Sequence, residues 1–255
     1  MVSPTFIYPG LFVAATFGGL VDSIAGGGGL ICLPALMATG IPPSIAIATN
    51  KLQSVFGSFN ASLNYCRSGK LALKPMLWVI VMVAIGALLG SFVVVHLSQQ
   101  VLMHIVPVLL SIVLIYMVFG SNKTLPPQWF NHHHLKEILA LIFGLLMGFY
   151  DGFFGPGTGS FWVALLMLFL GEELLQATMQ AKVYNFTSNL FALGYFLFHA
   201  HIMFYYGAVM ALGQIAGSQI GAKMVLKKGS KIIRPIFITA VSMMIIVLVY
   251  RLVQH

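Results

Sequence analysis

Gly19-Leu20-Val21-Asp22-Ser23-Ile24-Ala25-Gly26-Gly27-Gly28-Gly29 returns 129 residues later as Gly148-Phe149-Tyr150-Asp151-Gly152-Phe153-Phe154-Gly155-Pro156-Gly157-Thr158-Gly159. Each copy sets one carboxylate and a run of glycine inside an otherwise apolar stretch. Working outward, Lys51 matches Lys182 at an offset of 131, and Gly86-Ala87-Leu88-Leu89-Gly90-Ser91 matches Gly213-Gln214-Ile215-Ala216-Gly217-Ser218 at 127. Pro107 matches Pro235 at 128. Landmarks in one order at nearly one spacing mark an internal duplication. The boundary falls in the polar stretch Ser121 to His134, giving repeat 1 over 1–120, a linker over 121–135 and repeat 2 over 136–255.

Lipid is the solvent this composition suits. The 255 residues are 59% hydrophobic and 7% charged, with a mean hydropathy of +0.97, where a soluble domain carries roughly 25% charged residues. The net charge of +8 would suggest nucleic acid in a soluble protein. Here Lys and Arg stand in short runs between apolar segments, which is the pattern that orients a membrane protein, so no nucleic-acid partner is expected. Met1 to Leu20 lacks a basic n-region and an A-x-A cleavage site, so the amino terminus is read as retained. Cys32 and Cys66 suggest neither a disulfide framework nor a metal site.

Each half divides into five apolar segments, at 5–22, 29–39, 43–66, 72–97 and 100–119, then 136–150, 157–170, 174–199, 202–226 and 235–252. The second of each set is too short to cross. Eleven residues of helix cover ~16 Å of a ~30 Å hydrocarbon layer. A re-entrant pair, or one span plus a half-helix, fits better than ten ordinary spans. The expected fold is therefore all-α and polytopic, with broken or re-entrant helices at the glycine motifs.

The cations give orientation. The loop after the third segment holds Arg67, Lys70 and Lys74 in the first half, but only His199 and His201 in the second. After the fourth segment the bias reverses: His96 and His104 with polar residues in the first half, Lys223, Lys227, Lys228, Lys231 and Arg234 in the second. Cytoplasmic loops at 67–74, 120–136 and 227–234 satisfy both, which makes the repeats inverted in the inner membrane with both termini outside. Inverted repeats can exchange inward-open and outward-open states about a two-fold axis in the membrane plane, with the substrate at broken helices near the midplane.

Helix cannot persist through Asp22–Gly29 or Phe154–Ser160, and freed backbone groups in hydrocarbon cost several kcal/mol each unless buried in protein or facing a wet cavity. Both breaks are expected to line a cavity. A short helix begins after each, and its first N–H groups carry partial positive charge that attracts anions. Glycine lets an oxyanion approach the backbone. The Gly-x-x-x-Gly pairs Gly86/Gly90 and Gly213/Gly217 are read instead as close helix packing.

Lys51 and Lys182 each lie eight residues into a long apolar segment, ~12 Å deep by helical rise. Intramembrane charges default to functional sites with a partner. Two roles fit: a structural ion pair, Lys51 with Asp22 and Lys182 with Asp151, or a shared hold on an anionic substrate. Asn50, Gln53 and Ser54 share one helical face, as do Lys182, Asn185 and Asn189. Such stripes either bond across helices or line a pore; Asn60, Asn64, Thr187 and Ser188 belong to the same polar set. The candidate substrate-binding residues are thus Asp22, Ser23, Gly26, Gly27, Gly28, Gly29, Asn50, Lys51, Gln53, Ser54, Asp151, Gly155, Gly157, Thr158, Gly159, Lys182, Asn185 and Asn189. His132-His133-His134 is a weak metal signal without a Cys or carboxylate framework, and Trp78, Trp129 and Trp162 are read as interfacial anchors or lipid contacts.

Asp22–Gly29, Ala48-Thr49-Asn50-Lys51-Leu52 and Phe149–Pro156, with Ala181-Lys182, Asn185, Thr187-Ser188-Asn189 and Lys231-Ile232-Ile233-Arg234-Pro235, together resemble the sulfite exporter TauE/SafE family, also called the TSUP membrane transporters, in its YfcA-like branch. The resemblance implies a bacterial-type plasma-membrane permease. Family members are linked to export or uptake of sulfite, sulfoacetate and related sulfur-containing organic anions.

The expected function is secondary transport of a small sulfur-containing anion by alternating access, with no cofactor. A proton or sodium ion is the expected coupling partner, the bilayer the medium, and a second copy of the chain an optional one. Uptake of a carboxylate or a metal ion is the alternative. Metal uptake would prefer convergent carboxylates, His or Cys, and Asp22 and Asp151 are opposed by two cations. Intramembrane aspartyl proteolysis lacks its Gly-x-Gly-Asp partner, and no Gly-x-x-x-x-Gly-Lys-Ser/Thr loop serves ATP.

Overall fold

The computed structural model describes residues 4–119 and 133–229. Every regular element among them is helical: α1 Pro4–Ala25, α2 Gly29–Met37, α3 Pro43–Arg67, α4 Leu77–His96, α5 Gln99–Phe119, α6 His133–Phe153, α7 Thr158–Leu165, α8 Leu174–His199 and α9 Phe204–Lys228. A 3₁₀ turn, Lys74–Met76, precedes α4, and a π turn, Leu166–Leu170, extends α7. These bounds match the apolar segments read from the sequence. Most of the expected linker, the last segment at 235–252, Trp129, Lys231, Arg234 and Pro235 lie outside the described residues.

The glycine breaks end helices by local backbone chemistry. Gly26 and Gly155 take φ of +81° and +99°, left-handed values that strain any residue with a Cβ. Each follows its aspartate by four residues, so α1 and α6 stop at matching points. The chain then turns back. Cys32 on α2 lies against Ala14 and Gly18 of α1, and on the other side Tyr150 packs on Phe161 and Phe143 on Phe169. Each break is therefore the tip of a helical hairpin, and α2, at ~1.5 Å per residue, carries its tip only ~14 Å from the connecting loop.

Contacts along the helices fix their directions. Arg67, Lys70 and Lys74 define a basic end of the molecule, where Gln176 also donates to the Lys70 carbonyl and Lys136 to that of Leu170. The opposite end holds His199, His201, Ser44 and Gln99 around a groove of about 210 Å³. Helix α3 runs toward the basic end and α8 away from it. Helix α9 lies parallel to α1, with Gly213, Gly217 and Gly221 against Phe12, Thr16 and Leu20. In the same way α4 lies parallel to α6, with Gly86 and Gly90 against Leu145 and Phe149. The first helix of each half thus packs on the fourth helix of the other half, and the α1–α2 and α6–α7 hairpins point at each other from opposite ends.

Gly86, Gly90, Gly213 and Gly217 pack as expected, joined by Gly221, and the tolerance is small. A Cβ on Gly217 would stand 1.9 Å from the Thr16 carbonyl oxygen, whereas nothing lies within 4 Å of one on Gly10 or Gly194. Gly217→Ala is therefore expected to separate α1 from α9. Gly10→Ala and Gly194→Ala, in open helix interiors, should gain about 0.5–1 kcal/mol. Thermal melting of the three purified variants in one detergent checks both signs.

Polarity is distributed inside out. Trp78 is 74% exposed near one end, and Phe198 and Tyr205 are 84% and 81% exposed near the other, the placement of aromatic belts at two membrane interfaces. Lys51, Asp151, Lys182, Asn189 and Gln214 are buried. Trp162 corrects the reading of the tryptophans as surface anchors. It is 1% exposed, its ring 4.5 Å from that of Tyr184, because it falls on the face of short α7 that packs on α8.

Candidate functional site

The two hairpin tips touch. A Cβ on Gly26 would stand 2.3 Å from the carbonyl carbon of Gly159, one on Gly29 would stand 3.1 Å from Pro156 Cα, and Ser160 Oγ donates to the Ala25 carbonyl at 2.6 Å. Glycine at Gly26 and Gly159 thus lets backbone meet backbone. The space freed at Gly155 is filled by Lys51 Nζ and Asp151 Oδ1, 2.7 and 2.8 Å from a Cβ built there. In this conformation the glycines serve tip-to-tip contact and an ion pair, so the room expected for an oxyanion against the backbone is already occupied.

Both intramembrane lysines are paired, but across the halves. Lys51 Nζ on α3 donates to Asp151 Oδ1 on α6 at 2.6 Å, and Lys182 Nζ on α8 donates to Asp22 Oδ2 on α1 at 2.8 Å. The pairing expected from the sequence, each lysine with the aspartate of its own half, is corrected. Helices α3 and α8 cross antiparallel at the centre, which brings each lysine to the other half's hairpin.

The pairs differ in their surroundings. Asp151 is 1% exposed, and its Oδ2 accepts from Asn185 Nδ2 at 3.1 Å and from Ser188 Oγ; Lys51 is fully buried and also donates to Asn189 Oδ1 at 2.9 Å. Among the described residues Asp22 Oδ1 accepts only a long bond, 3.3 Å, from the Gly28 backbone N–H, and its side chain is 17% exposed. The exposure is toward a central cavity of about 20 Å³ lined by Asp22, Gly26, Gly29, Asn50, Lys51, Ser54, Asp151, Gly155, Asn185, Asn189 and Gln214. That is room for about one water molecule.

Ten of the residues singled out from the sequence line this cavity. The others stand behind it: Gln53 donates to Asn50 and Ser54, Gly28 to Asp22, Thr158 Oγ1 to the Gly155 carbonyl, and Gly157 begins α7 in a left-handed conformation. Gly159 packs on Gly26, and Gly27 accepts from the Leu30 N–H as α2 starts. Ser23 faces away, bonding the Leu20 carbonyl, while its own carbonyl accepts from Tyr65. The polar stripes divide between the two expected roles. Asn60 and Asn64 bond across to Ser218 and Gln219 of α9, whereas Asn50, Asn185 and Asn189 face the cavity.

Sequence reading missed Gln214 as a site residue. Its amide Nε2 donates to Cys32 Sγ at 3.3 Å, and its Oε1 occupies the notch beside Gly57 and Gly19. The available signal was a lone amide between the packing glycines Gly213 and Gly217.

The sulfite exporter TauE/SafE family model matches residues 11–248. The chain belongs to the TauE/SafE family. Its curated relatives include the probable membrane transporter protein ORF9 of a Sinorhizobium species, 42% identical over 89% of this chain and 87% of the relative. A probable membrane transporter protein of Haemophilus influenzae is 38% identical over 94% and 93% of the two chains, and Escherichia coli YfcA 37% over 98% and 92%. No solved structure matches. This TauE/SafE chain is accordingly an integral membrane protein of a transporter family rather than an enzyme, and the hairpins, crossed lysines and cavity are features of that transporter.

Proposed function

We propose that the chain is a secondary transporter of small sulfur-containing anions such as sulfite or organosulfonates, working by alternating access between two inverted repeats. The observation that carries this reading is the meeting of two opposed hairpin tips at a cavity flanked by crossed Lys–Asp pairs. The corresponding helices of the two halves run in opposite directions, which supports inversion. The basic end is the cytoplasmic end on this reading, and the His199/His201 end is periplasmic.

A cavity with room for one water molecule does not hold a sulfonate, so the contact of Gly26 with Gly159 belongs to an occluded conformation. Rocking of one hairpin with its partner helix opens the site to one side, and the mirror motion to the other. The anion then meets the first turns of α2 and α7 and an ammonium group. A cation cargo is the second reading. Each carboxylate is already held by an ammonium group at 2.6 or 2.8 Å, which opposes a divalent ion electrostatically.

The test is flux into proteoliposomes of purified protein, preceded by a thermal-shift screen of sulfite, sulfate, thiosulfate, sulfoacetate, simple carboxylates and divalent metals. Sulfur oxyanions are expected to raise the melting temperature and to be transported. Shifts confined to metals, with no sulfur-anion flux, would replace this reading by the second.

A further inference from the structure

The two ion pairs occupy equivalent places in the duplication, but their carboxylates are held differently. Asp151 receives Lys51, Asn185 and Ser188. Among the described residues Asp22 receives only Lys182 and the long Gly28 N–H bond. The cause is visible in the sequence register. At the offset of 131 that relates the lysines, Ser188 corresponds to Gly57 and Asn185 to Ser54, and at 127 Ala87 corresponds to Gln214. The Gln214 side chain fills the notch left at Gly57, its oxygen 2.3 Å from where a Cβ would stand, and turns its amide N–H toward Cys32. The position that gives Asp151 a serine donor gives Asp22 none, and the space there is filled by Gln214, whose amide N–H goes to Cys32 instead.

From this asymmetry we propose that Asp22 is the proton-carrying site of the transporter and that Asp151 stays ionised throughout the cycle. The proposal rests on the transporter reading above and adds its coupling ion. Both oxygens of Asp151 are taken up, by Lys51, Asn185 and Ser188, and its side chain is 1% exposed. Both carboxylates border the cavity, but the Asp22 side chain is 17% exposed against 1% for Asp151, so a proton arriving through water reaches Asp22.

The charge balance then follows. In the resting pair the carboxylate and the ammonium cancel. A proton added to Asp22 Oδ2 breaks the bond from Lys182 Nζ, and the ammonium keeps its charge and its N–H donors. A monovalent anion takes the place of the carboxylate as counterion, so the loaded site carries the same net charge as the empty one. The ammonium is already beside the first turn of α7, with Nζ 3.2 Å from a Cβ built on Gly159, where helix-end N–H groups add to its pull. Proton and anion travel together, one for one, and an inward proton gradient drives uptake. Sodium would have to bind a carboxylate that already holds an ammonium group at 2.8 Å.

The groups around Asp22 are consistent with one proton site. Helix α8 presents Lys182, α3 presents Lys51 and Tyr65, α2 presents Cys32, and α6 presents Asp151 across the cavity; α9 presents the neutral Gln214 and α7 the neutral Ser160. Lys51 is engaged by Asp151, which leaves Lys182 as the cation whose partner can change.

Infrared difference spectroscopy on the full chain in lipid nanodiscs, acidified in sodium-free buffer, tests this without a transport substrate. The readout compares the acid-induced spectra of wild type and variants, which cancels the bands of the chain's other carboxyl groups: one carbonyl stretch of the wild type is expected to be absent in Asp22→Asn and shifted in Asp22→Glu. The shift in the conservative variant keeps the test valid if the asparagine variant folds poorly. In proteoliposomes a gradient of one pH unit should drive about tenfold accumulation of methanesulfonate, insensitive to membrane potential, and Asp22→Asn should lose that stimulation. Acid-induced carboxyl bands that are the same in wild type and Asp22→Asn overturn the proposal, as does sodium-driven accumulation. Wild-type protein that shows the Asp22 band but moves no sulfur anion leaves the proton site standing and refutes the substrate.

Discussion

Lys51→Ala is expected to cost the protein its fold, while Lys182→Ala costs mainly its transport. Removing Lys51 strands Asp151 at 1% exposure with its counterion gone, and breaking a buried pair in this way costs about 3–5 kcal/mol. That is a large part of the ~5–15 kcal/mol that stabilises an ordinary domain. Lys182→Ala leaves Asp22 facing the cavity, where water or a proton can reach it, so the loss of stability is smaller. The check is thermal unfolding in detergent, followed by labelling of buried Cys32. The midpoint should fall far more for Lys51→Ala than for Lys182→Ala. The double change Lys51→Met with Asp151→Leu, which removes both charges, should recover most of it. Equal midpoints for the two single variants would show that the pairs are equivalent after all.

Gly26→Ala should be nearly as damaging for a different reason. The residue has φ of +81°, a conformation that costs an L-residue about 1–2 kcal/mol. Its Cβ would also stand 2.3 Å from the Gly159 carbonyl carbon. The obstacle is backbone, so no side chain can rotate out of the way, and the hairpin tips must separate. Both a lowered unfolding midpoint and a loss of sulfur-anion flux are expected. Gly40→Ala is the control, since Gly40 shares a positive φ of 87° but has nothing within 4 Å. Wild-type behaviour of Gly26→Ala would mean that the tips do not meet as described.

Much of the architecture was legible because the strongest signals are local. The apolar segments, the glycine runs that end α1 and α6, and the short α2 and α7 depend on propensity and length alone, and their bounds agree with the structure to within a few residues. The repeat register also located both lysines, which stand at matching positions along α3 and α8. What a single half cannot reveal is which residues it meets in the other. Lys51 is nearer to Asp22 in sequence, so pairing within a half is the natural reading. The crossing of α3 and α8 decides otherwise. The inequality of the two pairs was hidden for the same reason: Gly57 and Gln214 are 157 positions apart, and only packing shows that one fills the notch left by the other. Trp162 was misread because a tryptophan on an eight-residue helix gives too little periodicity to tell a buried face from a lipid-facing one.

The central claim is that the two hairpin tips part during transport, since the cavity between them is too small for the cargo. It is tested most directly by joining them. In a background with Cys32 and Cys66 replaced by serine, cysteines at Ala25 and Ser160, which touch across the tips, are linked by a short thiol-reactive reagent in proteoliposomes. Sulfur-anion flux should stop when the link forms and return when it is reduced. Flux that continues undiminished through fully linked protein would contradict the account.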